Sequence, residues 1–249
     1  RGGGGGGGGG GVGRDLPAPG WPPMPCRPRC PADPDALRRG KRRDAAGCPA
    51  YAARMHVIVL NGGSSSGKSS IAGRLQELLP EPWLHLGTDT MVDALPPSLR
   101  SGGEGIGGLE DGDGTVRVGP VFATLDAAWT VGVAAMARAG ARIVVDEVFL
   151  GGTTSQARWR AALEGLDVLW VGVRCDPAVA AAREAARGDR VAGMAAAQAE
   201  PVHRGVAYDL VVDTSRASAA DCAQVIAAQV EAARATAGAQ PDARAGTAS

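Results

Sequence analysis

Apolar residues along this chain fall into two alternating patterns. Short runs, Val57-Ile58-Val59-Leu60, Trp83-Leu84-His85-Leu86, Ile143-Val144-Val145, Val168 to Val173 and Leu210-Val211-Val212, read as strands, most of them buried on both faces. Between them lie stretches whose apolar residues recur at helical spacing. These are Ser70 to Leu79, Val121 to Ala139 (Phe122, Leu125, Trp129, Val133, Met136), Gln156 to Leu163, a helix opened by Asp176-Pro177, and Ala219 to Ala235 behind Ser218. Met91 to Leu95 adds a short helical turn. The β-α order repeats without strand-only runs, which predicts an α/β fold with a parallel sheet of about five strands and helices on both faces.

The pattern stops at both ends. Residues 1–53 begin with Arg1 and an unbroken glycine run to Gly11, and continue Pro-rich through Leu16 to Pro23. A segment with so few apolar side chains cannot offset its ordering entropy, so residues 1–53 read as a disordered tail. Residues 54–236 read as one folded domain and 237–249 as a frayed end. The formal net charge of +0 conceals a basic tail, with Arg27, Arg29, Arg38, Arg39, Lys41, Arg42 and Arg43, on a more acidic body. Because those charges sit where no fold is expected, they read as a solvated tail and not as a nucleic-acid surface. Nothing suggests a membrane span or an apolar signal segment. Three of the five cysteines, Cys26, Cys30 and Cys48, lie in the tail without a nearby histidine, which disfavours zinc; an odd count without disulfide spacing fits a reduced, cytoplasmic protein.

The chemistry gathers at the ends of the strands. After Asn61 comes Gly62-Gly63-Ser64-Ser65-Ser66-Gly67-Lys68-Ser69, the G-x-x-x-x-G-K-S form, with a strand before it and a helix after it. Its backbone N–H groups would curl around an anion at a helix start, Lys68 would reach the β- and γ-phosphates of ATP, and the Ser69 hydroxyl would coordinate Mg²⁺. Lys41 is the only other lysine, so Lys68 is not a product of composition. Asp89 follows the second strand, on the edge where open α/β sheets bind ligands; the same residue would also serve as a helix cap. Asp146 ends the third apolar run and is the second candidate for Mg²⁺. Arg183, Arg187 and Arg190 recur at about one-turn and two-turn spacing, either as phosphate-binding guanidiniums or as a solvated face partnered by Glu184 and Asp189. Pro96 to Pro120 is too long for a passive connector and reads as a flap over a pocket, with a turn at Asp111 to Gly114 and a strand from Thr115 to Val118.

The strings N-G-G-S-S-S-G-K-S from Asn61, L-P-E-P-W-L from Leu79, V-G-V-A-A-M-A-R-A-G-A-R-I from Val131, V-F-L-G-G from Val148, D-V-L-W-V-G-V-R-C-D from Asp167 and A-R-G-D-R-V-A-G-M-A-A from Ala186 closely resemble chloramphenicol phosphotransferase. The resemblance implies a P-loop kinase fold and a cytoplasmic enzyme that phosphorylates the primary hydroxyl of chloramphenicol with ATP and Mg²⁺. It implies Asp89 as catalytic base, Gly62 to Ser69 as phosphate loop, Ser69 and Asp146 at the metal, and Arg187 and Arg190 as lid arginines. Glu147 stands where that pattern has a second Asp, Thr90 where it has Ser, and the stretch from Gly102 to Gly114 is unusually glycine-rich. These departures bear on the acceptor more than on the chemistry. The alternatives are a kinase of another small hydroxyl compound (a nucleotide sugar, a sugar or another antibiotic) and a nucleotide-binding switch without transfer activity. The sequence is silent on oligomeric state.

Overall fold

A computed structural model describes residues 55–100, 102–107, 115–187 and 193–238. The expected tail at residues 1–53, the Asp111 to Gly114 turn, Asp189 and Arg190 lie outside the described residues.

The described chain begins with β1 (Val57–Asn61), α1 (Lys68–Leu78), β2 (Trp83–Gly87) and α2 (Thr88–Ala94). A 3₁₀ turn (Pro97–Leu99) and two short strands, β3 (Ile106–Gly107) and β4 (Arg117–Val118), lead to α3 (Pro120–Arg138) and β5 (Arg142–Glu147). Then come α4 (Thr153–Ala162), β6 (Val168–Arg174), α5 (Pro177–Arg187), α6 (Met194–Gln198), a second 3₁₀ turn (Pro201–His203), β7 (Leu210–Asp213) and α7 (Ala219–Gly238).

The main sheet has five strands in the order β2-β5-β1-β6-β7, every adjacent pair parallel. Because β5 inserts between β2 and β1, its last residues come level with the end of β1, Leu60 opposite Asp146 and Asn61 opposite Glu147. That register brings the acids of β5 to the mouth of the phosphate loop. Strand β1 is buried throughout. Its side chains alternate between two cores, as the period of two requires. Ile58 and Leu60 pack with Ile71 and Leu75 of α1 and Ile226 and Val230 of α7. Val57 and Val59 pack with Val133 and Ala137 of α3 and Trp159 of α4. Each fully buried large apolar side chain contributes about 1.5–3 kcal/mol, so the sheet is a stiff platform.

A third, smaller cluster of Met91, Leu95, Ile106 and Phe122 joins α2, β3 and the start of α3. The described part of the expected flap is therefore anchored: β3 and β4 pair antiparallel, Ile106 opposite Val118, and the strand expected from Thr115 is confined to Arg117–Val118. Among the described helices, α3 is long and apolar enough to cross a membrane by length and composition, a property the sequence reading passed over. Its inward residues pack on the sheet, while Val121, Leu125, Val131 and Met136 are exposed. Helix α7 runs to Gly238, past the point where fraying was expected. It opens on a reciprocal cap, with the Asp221 amide donating to Ser218 Oγ and the Ser218 amide to Asp221 Oδ2.

Candidate active site

The loop after β1 is built by two demands on its glycines. Gly67 sits at φ 92 in the left-handed region, which turns the chain sharply into α1. Gly62 packs so closely on β6 that a Cβ there would stand 2.5 Å from the Val173 carbonyl oxygen. Ser65, at φ 55, is the only described non-glycine residue with positive φ, a strained conformation of the kind held at ligand-binding loops. Ser65, whose Oγ is buried without a hydrogen-bond partner, lines the hollow together with the start of α1, whose first N–H groups have no partner within the helix. A phosphate chain suits these donors.

Lys68 is 7% exposed and donates from Nζ to the Gly63 carbonyl at 2.8 Å. The same Nζ lies 3.7 Å from Asp146 Oδ1. Ser69 Oγ donates to Asp146 Oδ2 at 2.6 Å, and His85 Nε2 of β2 lies 3.4 Å from that oxygen. Burial pushes the Asp146 carboxyl upward, but the Lys68 charge and the hydrogen bonds from His85 and Ser69 outweigh it and hold its pKa below the ordinary value. A hydroxyl and an ionised carboxylate side by side are hard oxygen ligands of the kind Mg²⁺ takes, and they fit that ion. Among the described residues no group of three or more His, Cys, Asp or Glu could hold a metal, so an ion at Ser69 and Asp146 would keep open positions for phosphate oxygens and water.

Glu147, one residue on, behaves oppositely. It is 4% exposed, takes a hydrogen bond from Thr88 Oγ1 at 2.9 Å, and leaves Oε1 unpartnered. Burial, together with repulsion from Asp126 and Asp146, pushes its pKa up to about 8 against the Thr88 bond.

Asp89 occupies the first turn of α2 and does not cap it. The helix begins at Thr88, its N-cap position is Gly87, and Thr90 Oγ1 accepts the Gly87 amide at 3.3 Å, so the capping alternative falls. One cavity of about 260 Å³ is lined by Lys68, Ser69, Asp146, Asp89 and Arg187. The same cavity is lined by the apolar side chains of Val92, Ile106, Val116, Val148 and Leu150.

Arg183 and Arg187 part company. Arg183 donates to Thr214 Oγ1 at 3.1 Å and to the Thr214 carbonyl at 2.7 Å, while Thr214 Oγ1 donates to the Ser66 carbonyl at 2.7 Å, so Arg183 buttresses the phosphate loop from behind. Glu184, expected on a solvated face, is buried and accepts the amides of Gly193 and Ala195, each at 2.8 Å. It caps α6, a helix the sequence reading did not assign.

Other residues with a bearing on the site carry little or no sequence signal. His85 and Thr88 lie in and just after a strand with no motif around them, and the departure at Glu147, a glutamate in place of a second Asp, carries no signal of its burial or its bond to Thr88. Gln198, at the end of α6, accepts the Ser64 amide at 2.9 Å. Asn61, the residue before the glycine loop, holds the loop's base. Its Oδ1 accepts the Phe149 amide, and its Nδ2 donates to the Val202 carbonyl and the Tyr208 hydroxyl. The Tyr208 hydroxyl in turn shares a 2.6 Å hydrogen bond with His203 Nδ1, and burial, reinforced by the charge of Arg174, lowers the pKa of His203 to about 4. Asn61 thus pins the base of the phosphate loop to the chain that leaves α6.

A glycine-rich anion cradle on a parallel sheet of this order, with lysine, hydroxyl and carboxylate converging on its mouth, defines a P-loop fold of the small-molecule kinase type. A solved sugar kinase from Janibacter sp. is similar over 74% of this chain and 97% of its own, with a TM-score of 0.54 at 17% identity, a likeness of fold. A shikimate kinase from Acinetobacter baumannii aligns over 71% of this chain and 93% of its own, with a TM-score of 0.46 and 17% identity. The model of the family described as "Chloramphenicol phosphotransferase-like protein" matches residues 55–231, and the chain belongs to that family. A protein of Mycobacterium tuberculosis (strain H37Rv), named "Putative O-phosphotransferase", is 32% identical over 169 residues, 64% of this chain and 75% of the relative.

Proposed function

We propose that the chain transfers the γ-phosphoryl group of ATP to the primary hydroxyl of chloramphenicol. The observation that carries the reading is that one cavity is lined both by the phosphate-loop residues Lys68 and Ser69 and by the carboxylate of Asp89, opposite an apolar wall of Val92, Ile106, Val116 and Leu150. An acceptor with an aromatic ring and a primary alcohol suits such a cavity, ring on the apolar wall and hydroxyl toward Asp89.

The residues divide the work. The loop amides and Lys68 hold the phosphates and neutralise charge as it develops in transfer. Ser69 and Asp146 would hold Mg²⁺, which supplies charge neutralisation at the phosphate oxygens. Asp89 accepts the hydrogen bond of the attacking hydroxyl and takes its proton as the new O–P bond forms and the bond from the γ-phosphorus to the β,γ-bridging oxygen breaks, with ADP as the leaving group. Arg187 lines the cavity from α5, where its guanidinium would stabilise charge on the transferring phosphoryl group, the role the family resemblance also implies for Arg190.

A second acceptor class is favoured by a specific feature: His85, Thr88, Asp89 and Thr90 make a polar cluster on the cavity floor, which would suit a sugar-like polyol. One assay separates the two. The full chain is incubated with ATP, Mg²⁺ and either chloramphenicol or a panel of sugars and nucleotide sugars, and products are read by mass spectrometry. Phosphorylated chloramphenicol supports the proposal; phosphorylation of a panel compound with chloramphenicol untouched overturns it.

A further inference from the structure

The second feature of the cavity lies on its lid side, and it rests on the phosphoryl-transfer reading above. Gln198 is 6% exposed and ends the five-residue helix α6. Its Oε1 accepts the amide of Ser64, an N–H of the phosphate loop itself, at 2.9 Å. An amide N–H can only donate, so the contact fixes which end of the carboxamide is oxygen. The planar group then turns its NH₂ away from Ser64. Gln198 lines the same cavity as Lys68 and Asp89, and its Nε2 makes no hydrogen bond to any described residue and is not sealed from solvent.

The surroundings hold this orientation. Glu184 fixes the start of α6 through the Gly193 and Ala195 amides, and Asn61 fixes the chain beyond it through the Val202 carbonyl. The loop approaches α6 so closely that a Cβ on Gly63 would meet the Gln198 carbonyl carbon, its Cβ and the Ala199 nitrogen, each at 3.3 Å. A buried, doubly anchored donor beside an anion cradle is what stabilisation of a transferring phosphoryl group asks for, since it costs no reorganisation when charge arrives.

We propose that Gln198 reads the γ-phosphoryl group: its oxygen is pinned by Ser64, and its NH₂ donates to a phosphoryl oxygen that ATP has and ADP lacks. The side chain is neutral, so it adds a donor without adding to the positive charge of Lys68 and Arg187.

The test compares ATP and ADP affinities of the full chain by calorimetry, in the wild type, Gln198→Ala and Gln198→Glu. Loss of one hydrogen bond to a charged group predicts about ten-fold weaker ATP binding in Gln198→Ala, with ADP within about two-fold of wild type. Gln198→Glu is the decisive variant, because its carboxylate can still accept the Ser64 amide but presents an anion to the phosphates. It should bind ATP more weakly than Gln198→Ala does. If Gln198 only braces the loop, the Glu variant will match wild type and the Ala variant will weaken both nucleotides alike; either result overturns the proposal. A wild type that binds neither nucleotide removes the kinase reading and this inference with it. A wild type that binds both, with an unchanged ATP-to-ADP ratio in both variants, removes the inference alone.

Discussion

The two walls of the cavity are made from different materials. On the phosphate side, Lys68 and Gln198 are buried, as are Asn61, Ser66 and Glu147 behind the lining, and the loop and its base are tied to Gln198 of α6, to Phe149 after β5 and to Thr214 after β7. On the acceptor side, Asp89 and Thr90 are exposed, and the apolar residues come from a seven-residue helix, the two-residue strand β3, the residue before β4, and the loop after β5. The first wall is locked to the sheet and suits a ligand part that never changes, a triphosphate. The second rests on a small satellite core and can be rebuilt by a few substitutions without touching the fold. On the proposed function, chemistry and acceptor choice are therefore separable in this molecule.

The sharpest way to break that separation is at Asp89, the one acceptor-side residue assigned to the chemistry. Asp89→Asn keeps the shape and a hydrogen-bonding oxygen but cannot take a proton. Turnover should fall by about 10²–10⁴-fold with ATP affinity nearly unchanged. A variant with wild-type turnover would remove Asp89 from the mechanism.

Next in size is a change on the phosphate side. Gly62→Ala places a methyl 2.5 Å from the Val173 carbonyl oxygen and 2.8 Å from Ser66 Oγ, and the first of these is backbone that cannot swing aside. Overpacking of this kind costs about 1–3 kcal/mol, and the loop shift that relieves it should weaken ATP binding as well. The check is a thermal melt alongside nucleotide calorimetry. An undisturbed melting temperature and affinity would mean that the loop is not held against β6.

How much of each wall could be read from the sequence follows the same division. The strands were legible because a parallel strand buried on both faces is an unbroken apolar run, and the phosphate loop because its spacing is set by backbone geometry. The pairing of β5 with β1, needed to bring Asp146 to the loop, was implied by the chemistry and is met by the register. What sequence spacing does not carry is the partner. Arg183 and Arg187 share a face at i, i+4, yet one braces Thr214 and the other lines the cavity. Helix α6 has five residues, four of them Met or Ala, and owes its start to Glu184 nine residues before Gly193. A helix that short is stabilised by tertiary contacts and not by its own propensity.

A smaller effect sharpens the contrast between two neighbours on β5. Glu147 titrates near 8 when folded and near 4.5 when unfolded. Between those values the unfolded chain gives up a proton that the folded chain keeps, so this residue makes stability fall as pH rises from about 4.5 to about 8. Asp146 has the opposite sign: its lowered pKa stabilises above its unfolded value of 3.8, and that help is lost as pH falls through the folded pKa. Glu147→Gln removes the first slope and leaves the second. Its melting temperature should exceed that of wild type by about 2–4 °C or more at about pH 8, with a smaller excess at about pH 5. An equal difference at both pH values would show that Glu147 is ionised in the folded protein.

The smallest expected effect bears most directly on the acceptor. Leu150 stands in the apolar wall with 41% of its surface exposed, so its removal opens no core cavity and leaves the sheet alone. If an aromatic acceptor covers it during binding, Leu150→Ala removes about one or two methylene groups' worth of contact, roughly 1 kcal/mol, which is about a five-fold rise in acceptor KM. The contact is the same in the bound state and in transfer, so kcat should hold, and the KM for ATP should hold because Leu150 is not part of the phosphate wall. A polyol seated on His85, Thr88 and Thr90 would not feel the change. Measured with chloramphenicol and with any sugar that is turned over, the variant thus reports which floor of the cavity the acceptor uses, and a fall in kcat for both would show that the two walls are coupled after all.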